Sequence, residues 1–134
     1  MTAPPAPATT TTSTVPETYP PTTTVPPGGP WKCPAAVILA VDAGFPADAL
    51  ALVDRIIYRE SRCDPLALND SYLDGGRDWS IGLWQVNTLG NLWPDRQALC
   101  GLTNRDELYD PATNTRCAFR IWERAGGFGP WGFS

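Results

Sequence analysis

DPATNTRCAFRIWERAGG, residues 110–127, is the stretch from which the fold reads outward. Asp110 suits an N-cap and Pro111 a first helical position, where a missing N–H costs no bond. Asn114, Cys117, Ala118, Ile121, Trp122 and Ala125 then fall on one helical face, and Gly126-Gly127 ends the run. Upstream, Pro34 opens a helix over 34–43 that Gly44 stops, and Pro46 opens another that runs to about Ser61. In that second helix Leu50, Val53, Ile56 and Ile57 share a face.

Between Cys63 and Ser80 the chain turns polar, with Asp64-Pro65, Asn69-Asp70 and Asp74-Gly75-Gly76 as turn signals, so a long loop or small irregular hairpin is expected. The apolar run from Ile81 to Asn87 is expected to start a short helix, and one or two more are expected within 88–109. The fold class is therefore α+β, mainly α, with helices around one loop-rich lobe.

Residues 1–30 stand apart. They hold ten Thr and nine Pro, and their only charged side chain is Glu17. Such a stretch has nothing to build a core from, and it reads as a disordered, polyproline-like linker. The near-copies at 12–16 and 22–26 are too short to fold as repeats. One domain, 31–134, remains.

Composition removes several function classes. The 134 residues include no His, which excludes His-based nucleophile relays and most zinc sites. A net charge of −4 argues against nucleic acid as partner, and no run approaches the roughly 18–20 apolar residues of a membrane span. Cofactor glycine motifs are missing too. Four cysteines at 33, 63, 100 and 117, without a C-x-x-C, read as two disulfides rather than a metal site. The preferred pairing is Cys33–Cys63 and Cys100–Cys117, each tying a helix to a neighbouring loop; two other pairings stay open.

Three short motifs carry a resemblance. Tyr58-Arg59-Glu60-Ser61 closes a helix, Ser80-Ile81-Gly82-Leu83-Trp84-Gln85-Val86-Asn87 follows, and Asp110-Pro111 with Asn114 opens the later helix. In that order they resemble the Glu-Ser, Gly-Leu-x-Gln and Asp-Pro-x-x-Asn blocks of the lysozyme-like lytic transglycosylases (SLT type). The resemblance covers about 31–134. It implies a lysozyme-like fold, Glu60 as catalytic acid, Ser61 supporting it, Gln85 and Asn87 lining a sugar cleft, and Asn114 shaping its floor. The implied substrate is a peptidoglycan glycan strand, cut at the β-1,4 bond between N-acetylmuramic acid and N-acetylglucosamine, without cofactor or metal. Trp84 stands where the family more often has Met; it either stacks on a sugar or fills the core. Trp93 and Trp131, in loop-like contexts, are further candidates for sugar contact.

The residues support an acid at position 60 on their own terms. Glu60 follows Val53, Ile56 and Ile57 on one face at a helix C-terminus, where the dipole and desolvation both disfavour an ionised carboxylate. A dry, apolar setting is therefore expected. Glycoside cleavage needs such a proton donor. A second carboxylate, Asp78 or Asp74, would make the chain a hydrolytic lysozyme; both otherwise read as solvated turn residues. The structural alternative for Glu60 is an ion pair with Arg59 or Arg62. A binding module that kept the fold without the activity is the non-enzyme alternative.

The disulfides and the Thr/Pro linker point outside the cytoplasm, to secretion, wall association or carriage in a phage particle. Met1 leads directly into Pro/Thr sequence, so no signal peptide is visible. A monomer is assumed.

Overall fold

The computed structural model describes residues 24–133. The first 23 residues of the expected linker lie outside that range. Residues 24–30 form no helix or strand, and Trp31 closes them by donating its indole N–H to the Pro26 carbonyl at 2.9 Å and packing on the core.

Four helices carry the fold: α1 (Pro34–Ala43), α2 (Leu50–Ser61), α3 (Leu92–Cys100) and α4 (Pro111–Ala125). α1 packs against both α2 and α4. Gly44 stops α1 at a φ of 120°, and a Cβ there would come within 2.9 Å of the Phe119 ring. α2 begins only after a 3₁₀ turn at Ala47–Ala49, later than Pro46 suggested, and buries Val53, Ile56 and Ile57 completely. Each such side chain stabilises by about 1.5–3 kcal/mol relative to exposure. Asp54 is also buried on α2. Its carboxylate accepts the Cys33 and Lys32 N–H groups at 2.8 and 2.9 Å, which seats the start of α1 on the flank of α2.

α4 begins as its sequence suggests, with the Asp110 side chain accepting from the Thr113 N–H at 2.9 Å. Its buried face comprises Asn114, Thr115, Cys117, Ala118 and Ile121. The stripe ends there, for Trp122 is half-buried and Ala125 exposed. Of the three possible pairings, Cys33 is bonded to Cys63 and Cys100 to Cys117. The second bridge joins two helices, α3 and α4, rather than a helix and a loop. The first holds the exit of α2, where Arg62 and Cys63 both have left-handed backbone (φ 55° and 68°) although neither is glycine.

The remaining elements make a small antiparallel sheet in the order β1 (Leu68–Asn69), β2 (Ser80–Ile81), β3 (Val86–Asn87). The architecture is thus mainly α with one small sheet in a loop-rich lobe. The short helix expected from Ile81 to Asn87 is not formed. Ile81 pairs with Val86 and Ser80 with Asn87, across a loop whose ends, Gly82 and Gln85, are left-handed (φ 79° and 49°). The cause lies 30 residues away. The fully buried Asn114 side chain accepts the Trp84 N–H at 3.0 Å and donates to the Ile81 and Leu108 carbonyls at 2.8 and 2.9 Å. These bonds satisfy hairpin backbone groups that a helix would otherwise pair internally. Glycine is required at 82, since a Cβ would lie 2.3 Å from the Asn114 amide nitrogen.

Asn114→Ala leaves the three backbone partners buried and unpaired. We expect a loss of about 2–4 kcal/mol, read as a lower urea midpoint with an unchanged slope. A loss no larger than that of an average surface substitution contradicts this account of the hairpin.

Candidate active site

The end of α2, the β-lobe and the C-terminal tail enclose a cleft of about 240 Å³. Glu60 contributes from α2; Asn69, Asp78, Ser80, Gln85 and Asn87 from the lobe; Arg96 from α3; and Pro130 and Trp131 from the tail. Five residues singled out from sequence (Glu60, Asp78, Gln85, Asn87 and Trp131) therefore share one wall system. A larger hollow of about 580 Å³, bordered by the Cys100–Cys117 bridge, Arg116 and Arg120, holds none of the candidate catalytic residues.

Glu60 is not in the dry setting expected for it. Its side chain is 24% exposed, and Oε2 accepts from Arg59 Nη2 at 2.6 Å and Nε at 3.2 Å. The same guanidinium donates to the Trp131 carbonyl and lies 4.6 Å from the centre of the Phe133 ring. Arg59 thus fastens the tail to α2 while holding one oxygen of Glu60. The physical reason is geometric: the last turn of α2 faces the cleft rather than the core, which α2 serves through Val53, Ile56 and Ile57. Ser61 does not bond Glu60; its buried hydroxyl donates to the Ile57 carbonyl within α2 at 3.1 Å.

Gln85 and Asn87 line the cleft with amide hydrogens already in use. Gln85 Nε2 donates to the Gly82 and Ala67 carbonyls at 3.0 and 3.2 Å. Asn87 Nδ2 donates to the Arg77 carbonyl and to Asp78 Oδ1, while its Oδ1 accepts the Trp79 and Leu89 N–H groups. Asp78 Oδ1 accepts from Ser80 Oγ as well, at 3.2 Å. Asp74 sits exposed at the end of a 3₁₀ turn and is not among the residues that line the cleft.

Two of the motif residues are fully buried. Trp84 is 0% exposed, stacked on Phe45 with ring centres 5.1 Å apart, so it fills the core and touches no ligand. Asn114, fully buried, supports the hairpin from beneath and presents nothing to the cleft surface. Trp131 is nearly buried, donating its indole N–H to the Trp84 carbonyl at 2.9 Å, and shows the cleft only an edge. Trp93 belongs to α3, not to a loop, and packs on Arg105, whose guanidinium carbon lies 4.8 Å from the Trp93 ring and 3.7 Å from the Trp79 ring.

Arg96 and Arg59 were not singled out as site residues by the sequence, since a charged residue on a helix reads as a solvated face. Arg96 is a neighbour of Asp95, whose carboxylate is gripped by both guanidinium nitrogens of Arg124 at 2.8 and 2.9 Å. That hydrogen-bonded grip holds the Asp95 carboxyl below its ordinary value. Burial lowers the Arg96 guanidinium from its ordinary value as well.

A family model described as a lysozyme-like domain matches residues 37–133. No curated protein and no solved structure gives a significant match.

The Asp95–Arg124 pair carries a pH signature. With the folded value depressed, its stabilisation is present above the ordinary carboxylate value of 3.8 and lost as pH falls through the folded one. Asp95→Asn should therefore melt below the wild type at pH 7, with the gap closing as pH drops under 3.8; a gap that persists at pH 2 contradicts this.

Proposed function

Because the chain belongs to the lysozyme-like domain family, a family of peptidoglycan-cleaving glycosidases and transglycosylases, we propose that its cleft cuts the β-1,4 bond between N-acetylmuramic acid and N-acetylglucosamine by lytic transglycosylation. One observation carries the choice of chemistry. Glu60 and Asp78 both line the cleft, but Asp78 accepts from Ser80 and Asn87 of the lobe and serves the wall, whereas among the described residues Glu60 accepts only from its chain neighbour Arg59.

In this reading Glu60 gives its proton to the departing glycosidic oxygen. Positive charge on the muramyl C1 is met by the substrate's own N-acetyl oxygen, so no second protein carboxylate is needed. The Glu60 carboxylate then takes the proton of the muramyl 6-hydroxyl, whose oxygen closes on C1. The product is a 1,6-anhydro sugar and no water is consumed. Arg59 holds Oε2 at rest, and Oε1 is the oxygen left to carry the proton. Trp131 and Pro130 line the same cleft and limit how a sugar ring can lie across Glu60.

A second reading is hydrolysis with Asp78 as the other carboxylate. Its place in the same cleft supports it, as does the fact that both of its accepted side-chain bonds fall on Oδ1.

Purified sacculi incubated with the protein and analysed by mass spectrometry distinguish the two. Transglycosylation releases muropeptides one water, about 18 Da, lighter than hydrolysis does. Glu60→Gln should keep the fold and drop release by about a thousandfold or more. Asp78→Asn should reduce turnover only modestly under the first reading and abolish it under the second. Full activity in Glu60→Gln overturns both.

A further inference from the structure

Arg96 is the only cationic side chain lining the cleft among the described residues, and its charge is poorly matched by the protein. Its side chain is 12% exposed, and its single ion pair is one 2.9 Å contact from Nη1 to Asp95 Oδ2. Asp95 is already held through both oxygens by Arg124, so the three groups together carry one surplus positive charge. Nε of Arg96 is buried with no partner at all. Neither cleft carboxylate compensates, since Arg96 is ion-paired with Asp95 and not with Glu60 or Asp78. A half-satisfied buried cation is costly unless an anion arrives to meet it.

Taking the glycan reading above as its basis, we propose that Arg96 is the receptor for a carboxylate carried on the muramyl residue, and so selects muramyl-containing strands over plain N-acetylglucosamine chains. The two sugars differ only by the 3-O-lactyl arm, and that arm is where the anion resides. In strands stripped of peptide the lactyl carboxylate itself is free; in peptide-bearing strands it is an amide, and the nearest anion is a carboxylate of the peptide. A guanidinium suits either, because its planar donors match a carboxylate through two hydrogen bonds. The site selects and orients the substrate, while Glu60 performs the chemistry.

The test uses the full chain and its Arg96→Gln and Arg96→Lys variants, each checked for an unchanged melting profile. KM and kcat are measured on peptide-free and on peptide-bearing glycan strands, with N-acetylglucosamine tetrasaccharide as a competing ligand. Arg96→Gln should raise KM about tenfold to a hundredfold on at least one strand type, with kcat and the tetrasaccharide inhibition constant within about twofold. Arg96→Lys should recover part of the loss. The strand type affected identifies which carboxylate is bound. An equal loss toward strands and tetrasaccharide means that Arg96 merely shapes the cleft, and no change in KM on either strand means that it binds no anion; either result overturns the proposal. If Arg96→Gln cannot fold, Arg96→Lys with an unchanged melt should show a reduced preference for muramyl strands over the tetrasaccharide, and an undiminished preference overturns the proposal. Should the wild type release nothing from sacculi while binding peptide-free strands more tightly than tetrasaccharide, the cleavage reading fails and the anion receptor stands.

Discussion

The buried side chain of Asn114 is the interaction on which the site depends. One amide group fixes the Trp84 N–H and two carbonyls, and so presses the β2–β3 loop against α4. From that loop follow Gln85 and Asn87, and from Asn87 the position of Asp78 and the turn at Trp79. A neutral amide does this well because it offers both donors and an acceptor without the desolvation cost of a charge. Gly82 is the counterpart, for only a residue without a Cβ lets the loop come so close.

The opposite wall is assembled differently, by charge. Arg59 joins Glu60, the Trp131 carbonyl and the Phe133 ring, so the acid and the tail share one guanidinium. Across the lobe, Arg105 packs on both Trp79 and Trp93 and donates to Thr88 through two nitrogens, bracing the segment that bears Asp78 and leads into β2. Guanidinium groups thus act here as planar fasteners as much as charges. The cleft lies between a lobe fixed by amides and by Arg105 and a tail fixed by Arg59.

Much of this was legible beforehand where periodicity is long. The helices at 34–43 and 111–125 each carry a first-turn proline and a stopping glycine, and the second a side-chain cap at Asp110, signals that act locally and need no tertiary partner. The run 81–87 misled because a short apolar segment reads alike as strand or helix, and here a side chain far along the chain decides. Asp54 and Arg96 were illegible for a related reason: a charged residue on a helix looks solvated until a particular partner, the Cys33 N–H or the cleft, is known to lie against it. Motif spacing fixes position along a chain and not depth beneath a surface, so it left open whether Trp84 meets sugar or core; its complete burial decides for the core.

The two disulfides divide the chain without crossing. Cys33 joins Cys63 before Cys100 appears, and Cys100 joins Cys117 after the first loop is closed. A polypeptide threaded N-terminus first through a pore can therefore oxidise each thiol with the next one to emerge, and no bond formed early has to be undone and reshuffled later.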